Sequence, residues 1–174
     1  MKKWLSIIGA IGLTATSTTT LISCKKENNN ENGGEDNKPE PQYNPQQPPE
    51  GSNWKQVIAQ DKPFNTVDNK WYFVVWRGDE NDNWRIIKFP NINFSEKRKV
   101  LDTQEDYELA LTRVGDNLFR IKIGAVRPVT SWSQDDGTYF KSVYRWDGVD
   151  EPEIPTINKN TGEITDWKEQ KGTS

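Results

Sequence analysis

Between residues 70 and 77 the chain reads KWYFVVWR, an unbroken apolar run held between two cations. In an extended strand this run puts Trp71, Phe73 and Val75 on one face and Tyr72, Val74 and Trp76 on the other. Both faces then need cover, so the pattern predicts a central strand. The turn-forming DENDN (79–83) follows, and WRIIKF resumes the apolar run, which predicts a β-hairpin over 70–89. YELALTRV, GDN and LFRIKIG repeat the theme over 107–124 with a period of two. Tyr107, Leu109 and Leu111 alternate with polar neighbours, and Phe119, Ile121 and Ile123 alternate with Arg120 and Lys122, as antiparallel strands with one solvated face do.

TYFKSVYRW (138–146) predicts a further strand, and IPTINKNTGEITDW (154–167) a last hairpin whose turn ends in Gly162, a residue suited to positive φ. Helical periodicity is confined to SNWKQVIAQ (52–60), where Trp54, Val57 and Ile58 predict one short helix or turn capped by Ser52 or Asn53. The fold expected is all-β: a small antiparallel β-meander arranged as a sandwich, an open barrel or propeller-like blades. The blade option draws on an echo between KWYFVVWRGDENDNWRI and TYFKSVYRWDGVDEPEI.

The N-terminus obeys another pattern. Lys2 and Lys3 precede the apolar run WLSIIGAIGL (4–13), which has the length of an export-signal core and is too short to span a bilayer. TATSTTT then leads to Leu21, Ile22, Ser23 and Cys24, the chain's single cysteine. This stretch resembles the lipobox of bacterial lipoproteins. The resemblance implies cleavage after Ser23 and a diacylglyceryl group on the Cys24 sulfur, anchoring the chain to the outer face of a membrane. Two acyl chains hold stably where one is marginal. The leader also resembles those of spiroplasma-type mollicute surface lipoproteins, as YRWDG and NKNTGEITDW do less specifically. The domain plan expected is a signal peptide over 1–23, a lipid-anchored disordered tether over 24–52, an all-β extracellular domain over 53–168 and a disordered tail over 169–174. A tether is expected from KKENNNENGGEDNKPEPQYNPQQPPEGS, which has no aliphatic side chain with which to repay ordering.

Charge and composition narrow the chemistry. The formal charge is -3, and loss of Lys2 and Lys3 makes it -5, which together with the lack of a long basic block argues against a nucleic-acid partner. With no histidine and no second cysteine, histidine-based nucleophilic schemes and the common zinc sites have no ligands, and no disulfide can form. No cofactor or metal is expected. DENDN and DGVDE (147–151) carry oxygen ligands without EF-hand spacing, and read as solvated turns.

Two functions remain. The first is a surface binding or adhesion module for an extracellular protein or glycan. The alternative is a carboxylate-dependent extracellular hydrolase such as a glycosidase, drawing on Asp135, Asp136, Asp147 or Glu151. Arg77, Gly78 and Asp79 spell a tripeptide that resembles the integrin-binding motif, at the tip of the first hairpin. Seven tryptophans lie beyond the leader, as core packing or as binding aromatics. Trp132 and Trp146 stand in the polar contexts TSWSQDDG and YRWDGVDE, so at least one is expected on an exposed recognition surface with Asp135, Asp136 and Asp147.

Overall fold

The computed structural model describes residues 45–115 and 117–168, all within the compact unit that begins at Pro39. The leader, Cys24, most of the tether and the tail at 169–174 lie outside the described residues. Ten strands run β1 (Trp54–Gln56), β2 (Trp71–Trp76), β3 (Arg85–Pro90), β4 (Lys99–Gln104), β5 (Tyr107–Leu111), β6 (Leu118–Lys122), β7 (Thr130–Ser131), β8 (Phe140–Trp146), β9 (Thr156–Ile157) and β10 (Ile164–Asp166). They form two four-stranded sheets, β1-β8-β2-β3 and β4-β5-β6-β7, and the small β9-β10 hairpin. Every strand pair is antiparallel.

The two large sheets pack face to face as a sandwich, one of the three arrangements the sequence left open. Tyr72, Val74, Trp76 and Phe89 from one sheet meet Leu109, Leu111 and Leu118 from the other in the main core. The opposite face of β2 is also covered. Phe73, Tyr144, Trp146, Trp54 and Ile164 form a second core under the β9-β10 hairpin, with Trp71 and Trp167 packed against it. β2 is therefore central and two-faced, as its unbroken apolar run requires. The segments that echo one another are β2 and β8, which pair directly, Trp71 opposite Trp146 and Val74 opposite Val143, so they are neighbours in one sheet and not blades.

Three expectations change. SNWKQVIAQ forms no α-helix: Trp54–Gln56 pairs with β8, Val57 donates its N–H to the Val143 carbonyl at 3.0 Å, and only Ala59–Asp61 coils, as a 3-10 turn. The open edge of β8 offers a ladder that a short, weakly periodic segment takes in preference to a helix. Residues 45–52, expected to belong to a disordered tether over 24–52, pack against the domain. Pro45 is buried, and the Gln46 side chain copies a strand pairing by donating to the Ile164 carbonyl (3.0 Å) and accepting the Ile164 N–H (2.7 Å). Tyr144 adds a hydroxyl bond to the Gln46 carbonyl at 2.6 Å. Backbone bonds to neighbouring groups supply here what aliphatic burial does not.

The third change concerns β6. Its period of two holds, but Leu118 and Arg120 face the main core, while Phe119 and Ile121 join Ala110 on the outer face. Arg120 is only 2 % exposed. Its guanidinium lies between the Tyr107 ring (3.5 Å) and the Tyr139 ring (4.0 Å), and its Nε donates to the Gly78 carbonyl. A planar cation stacks on aromatic faces where an ammonium would keep its water, which is why this charge tolerates the interior.

Candidate functional site

The residues expected to share one surface lie at two ends of β8. Trp132, Asp135 and Asp136 precede the strand, and Trp146 and Asp147 end it, roughly 20 Å apart at about 3.3 Å per residue. Both indoles are buried, Trp132 at 7 % exposure and Trp146 at 3 %, which overturns the expectation that at least one is exposed. Trp146 lies in a cross-strand row between Trp54 and Trp71, its ring 4.7 Å from that of Trp54, and its Nε1 donates to the Asp150 carbonyl at 2.8 Å. The period of two along β8 puts it on the same face as Tyr144, which the second core covers.

The carboxylates hold local structure. Asp135 accepts the backbone N–H groups of Gly137, Tyr139 and Phe140, fixing the approach to β8. Burial pushes its carboxyl above the usual range, and these three bonds oppose the shift. Asp136 accepts from the Thr138 N–H and hydroxyl. Asp147 takes Arg145 Nε and Lys70 Nζ, each at 2.8 Å. Burial works against its charge, but those two cations outweigh it and hold the carboxyl below the usual range. Glu151 pairs with Lys88. Among the described residues no three acidic side chains gather into a metal-binding set.

The Arg77-Gly78-Asp79 tripeptide is tied inward. Arg77 Nε donates to the Thr138 carbonyl and its Nη1 to the Glu80 carbonyl, both at 2.6 Å, while its guanidinium lies 4.7 Å from the Trp84 ring. Gly78 is buried, and a Cβ there would sit 2.8 Å from the Gln104 carbonyl oxygen, so the close approach of two backbone segments demands glycine. Asp79 Oδ2 faces Arg120 at 3.9 Å.

What remains of the expected site is Trp132, and it lines a cavity of about 240 Å³. Trp132 opens the 3-10 turn Trp132–Gln134, and Ala59 opens the facing turn Ala59–Asp61. Between these turns Phe64, Leu118, Pro63 and Trp132 supply apolar walls, with Gln60, Lys62, Asn117 and Ser133 at the polar margin. Phe64 is fully buried, its ring 4.9 Å from Tyr72 and 6.1 Å from Trp132. Arg113 holds the Phe64 carbonyl from behind at 3.0 Å and takes the Asn91 side-chain oxygen at 2.5 Å. Asn117 closes the neighbouring turn, donating from its side chain to the Thr112 carbonyl at 3.0 Å. Lys62, in the left-handed region at φ 47, ends the first turn at the cavity mouth. Sequence reasoning singled out Trp132 but missed Phe64, Lys62 and Asn117, which belong to loops whose convergence no local pattern reports.

The cavity suits a small, partly apolar group. It is below the size of a drug-like pocket, and among the described residues its lining holds one cation, Lys62, and no carboxylate.

The Spiroplasma phage ORF1-like family matches residues 19–173. The chain is 33 % identical over 116 residues to the uncharacterised ORF1 protein of Spiroplasma virus SpV1-R8A2 B, covering 66 % of this chain and 12 % of that protein. It is 59 % identical over 95 residues to the uncharacterised ORF1 protein of Spiroplasma virus SpV1-C74, covering 53 % of this chain and 12 % of that protein. The chain thus spans about an eighth of the length of these curated relatives. No solved structure matches it.

Proposed function

This chain belongs to the Spiroplasma phage ORF1-like family, and on that premise we propose that it is a lipid-anchored surface module that binds an extracellular protein through the Trp132 cavity. The observation that carries the binding reading is the cavity itself, an apolar recess with a cationic margin built from two facing 3-10 turns. A recess of this size takes one apolar side chain of a partner, the anchor-in-pocket arrangement that concentrates binding energy at protein interfaces. The anchoring reading draws on Leu21, Ile22, Ser23 and Cys24. Among the described residues no helix is long and apolar enough to cross a membrane.

Two measurements test the proposal separately. For anchoring, Cys24→Ala moves the protein out of the detergent-rich phase on Triton X-114 partitioning; unchanged partitioning refutes a lipid on Cys24. For binding, the protein is applied to spiroplasma cells and scored by flow cytometry, with Ala59→Phe filling the cavity and Lys62→Glu reversing its margin. Loss of cell binding by both variants at an unchanged melting temperature supports the cavity. Undiminished binding rules it out, and binding abolished by glycan-stripping enzymes assigns the partner to the glycan class.

A further inference from the structure

The outer face of the β4-β5-β6-β7 sheet carries a second feature, unrelated to the Trp132 cavity. Phe119 and Ile121 form its floor with Ala125, and Val114, Val126 and Pro128 line a groove of about 670 Å³ over them. Unlike the outer face of the other sheet, which the β9-β10 hairpin covers, this one leaves aliphatic side chains projecting. Val126 is 93 % exposed and Val114 76 %, with Val129 and Ile123 at half or more. Isolated surface valines need no explanation, but a ring of them around an apolar floor does.

Among the described residues the charges beside this groove are mainly positive. Lys97 and Arg98 line the groove and Arg127 lies exposed next to Val126, whereas the adjacent Glu108 is paired with Arg98 at 3.3 Å. The patch is cationic on a chain whose formal charge is -3. Projecting aliphatic groups inside a basic margin suit a surface that is anionic at its boundary and hydrocarbon beneath. A protein partner would need a matching pocket for each projecting valine, and the exposed ring has none of the aromatic side chains enriched at protein interfaces. A bilayer accommodates them without shape matching.

We infer that this face docks on an anionic lipid surface, laying the Val114 and Val126 side chains among the headgroups while Lys97, Arg98 and Arg127 meet lipid phosphates. The inference rests on the anchored reading only for the nearness of a membrane. Twenty residues separate Cys24 from Pro45, and fully extended they span up to about 66 Å, enough to let a domain held at Gln46 present its far sheet. Docking and anchoring then reinforce each other through effective concentration.

The test uses residues 24–174 with Cys24→Ser, which carries no lipid and keeps every described residue. Binding is read by co-sedimentation with vesicles of phosphatidylcholine alone or mixed with phosphatidylglycerol. The expected result is binding to the mixed vesicles only, falling as salt rises, and weakened about tenfold or more in the Val114→Asp, Val126→Asp double variant. Lys97→Glu with Arg127→Glu weakens it likewise, and Val149→Asp, fully exposed elsewhere, leaves it unchanged. Absence of binding at low salt, equal binding to phosphatidylcholine alone, or indifference to the valine variants overturns the inference. So does a dimer in analytical ultracentrifugation that Val126→Asp dissolves, since a second copy would then fill the groove. Because the test chain lacks Cys24, failure here leaves the anchoring result standing, and failure of Triton X-114 partitioning leaves this one.

Discussion

Arg120 shows how one side chain can join two sheets. It leaves β6, passes between Tyr107 and Tyr139, and ends on the Gly78 carbonyl beside Asp79, so the turn after β2 is pinned to the opposite sheet. Arg120→Ala is expected to cost about 3 kcal/mol or more, from the void between the two rings and the Gly78 carbonyl left without a partner. Arg120→Lys does not rescue it, because an ammonium neither stacks between two rings nor reaches in a fixed plane. Urea unfolding of the two variants checks this, and a lysine variant of wild-type stability refutes the stacking account. Asp147 gives a pH-dependent case. Its folded carboxyl titrates below its unfolded value, so its stabilisation is present above about pH 4 and is lost as pH falls through the lower folded value. Lys70 and Arg145 are each more than a third exposed, and solvent screening limits the effect to about 1 kcal/mol or less. Asp147→Asn should therefore be less stable than wild type near neutral pH, and the gap should close as the pH falls through the lowered folded value. A gap of constant size across that range would assign the loss to packing.

Among the elements, legibility followed apolar runs, unbroken or alternating, bounded by turn residues. The β2-β3 and β5-β6 hairpins, β8 and the β9-β10 turn with Gly162 at φ 73 all stand where apolar runs and turn residues put them. β4 was not legible, because Val100 and Leu101 are adjacent and a bulge between Val100 and Asp102 breaks the period that would have announced a strand. The Trp132 cavity was half legible: its indole stood out, but the loops carrying Phe64 and Asn117 meet it only through the sandwich. Gln46 was invisible for a different reason. Its role is to lend a side-chain amide to the Ile164 backbone, and composition predicts disorder there with good cause. Gln46→Ala removes both bonds and leaves the Ile164 N–H and carbonyl to find water. We expect a loss of about 1 to 2 kcal/mol by thermal melt, with a chain beginning at Asn53 losing at least as much. A chain beginning at Asn53 that melts with the full protein would return 45–52 to the tether.

For the described domain as a whole, the decisive fact is that one sheet serves two cores of unequal make-up. The main core lies between two full sheets and is closed by Leu109, Leu111, Leu118 and the aromatic side chains facing them. The second has only one sheet below it, and its lid is a two-stranded hairpin, the segment at 45–52 and Trp167. Trp54 bridges lid and sheet: its ring lies 4.4 Å from Phe73, 4.7 Å from Trp146 and 6.3 Å from Trp167, and its Nε1 donates to the Trp167 carbonyl at 3.1 Å. Elements held by fewer buried contacts open at lower free energy than those between two sheets. Trp54→Ala should therefore release the lid before the sandwich. In hydrogen exchange the amides of Asn158, Gly162 and Ile164, bonded to Glu163, Asn158 and Gln46, lose protection in this variant. Those that pair β5 with β6 keep theirs, and near-ultraviolet circular dichroism records a partial change at a temperature below the main melt. Loss of protection in both regions together would make the two cores one cooperative unit and contradict the layered account.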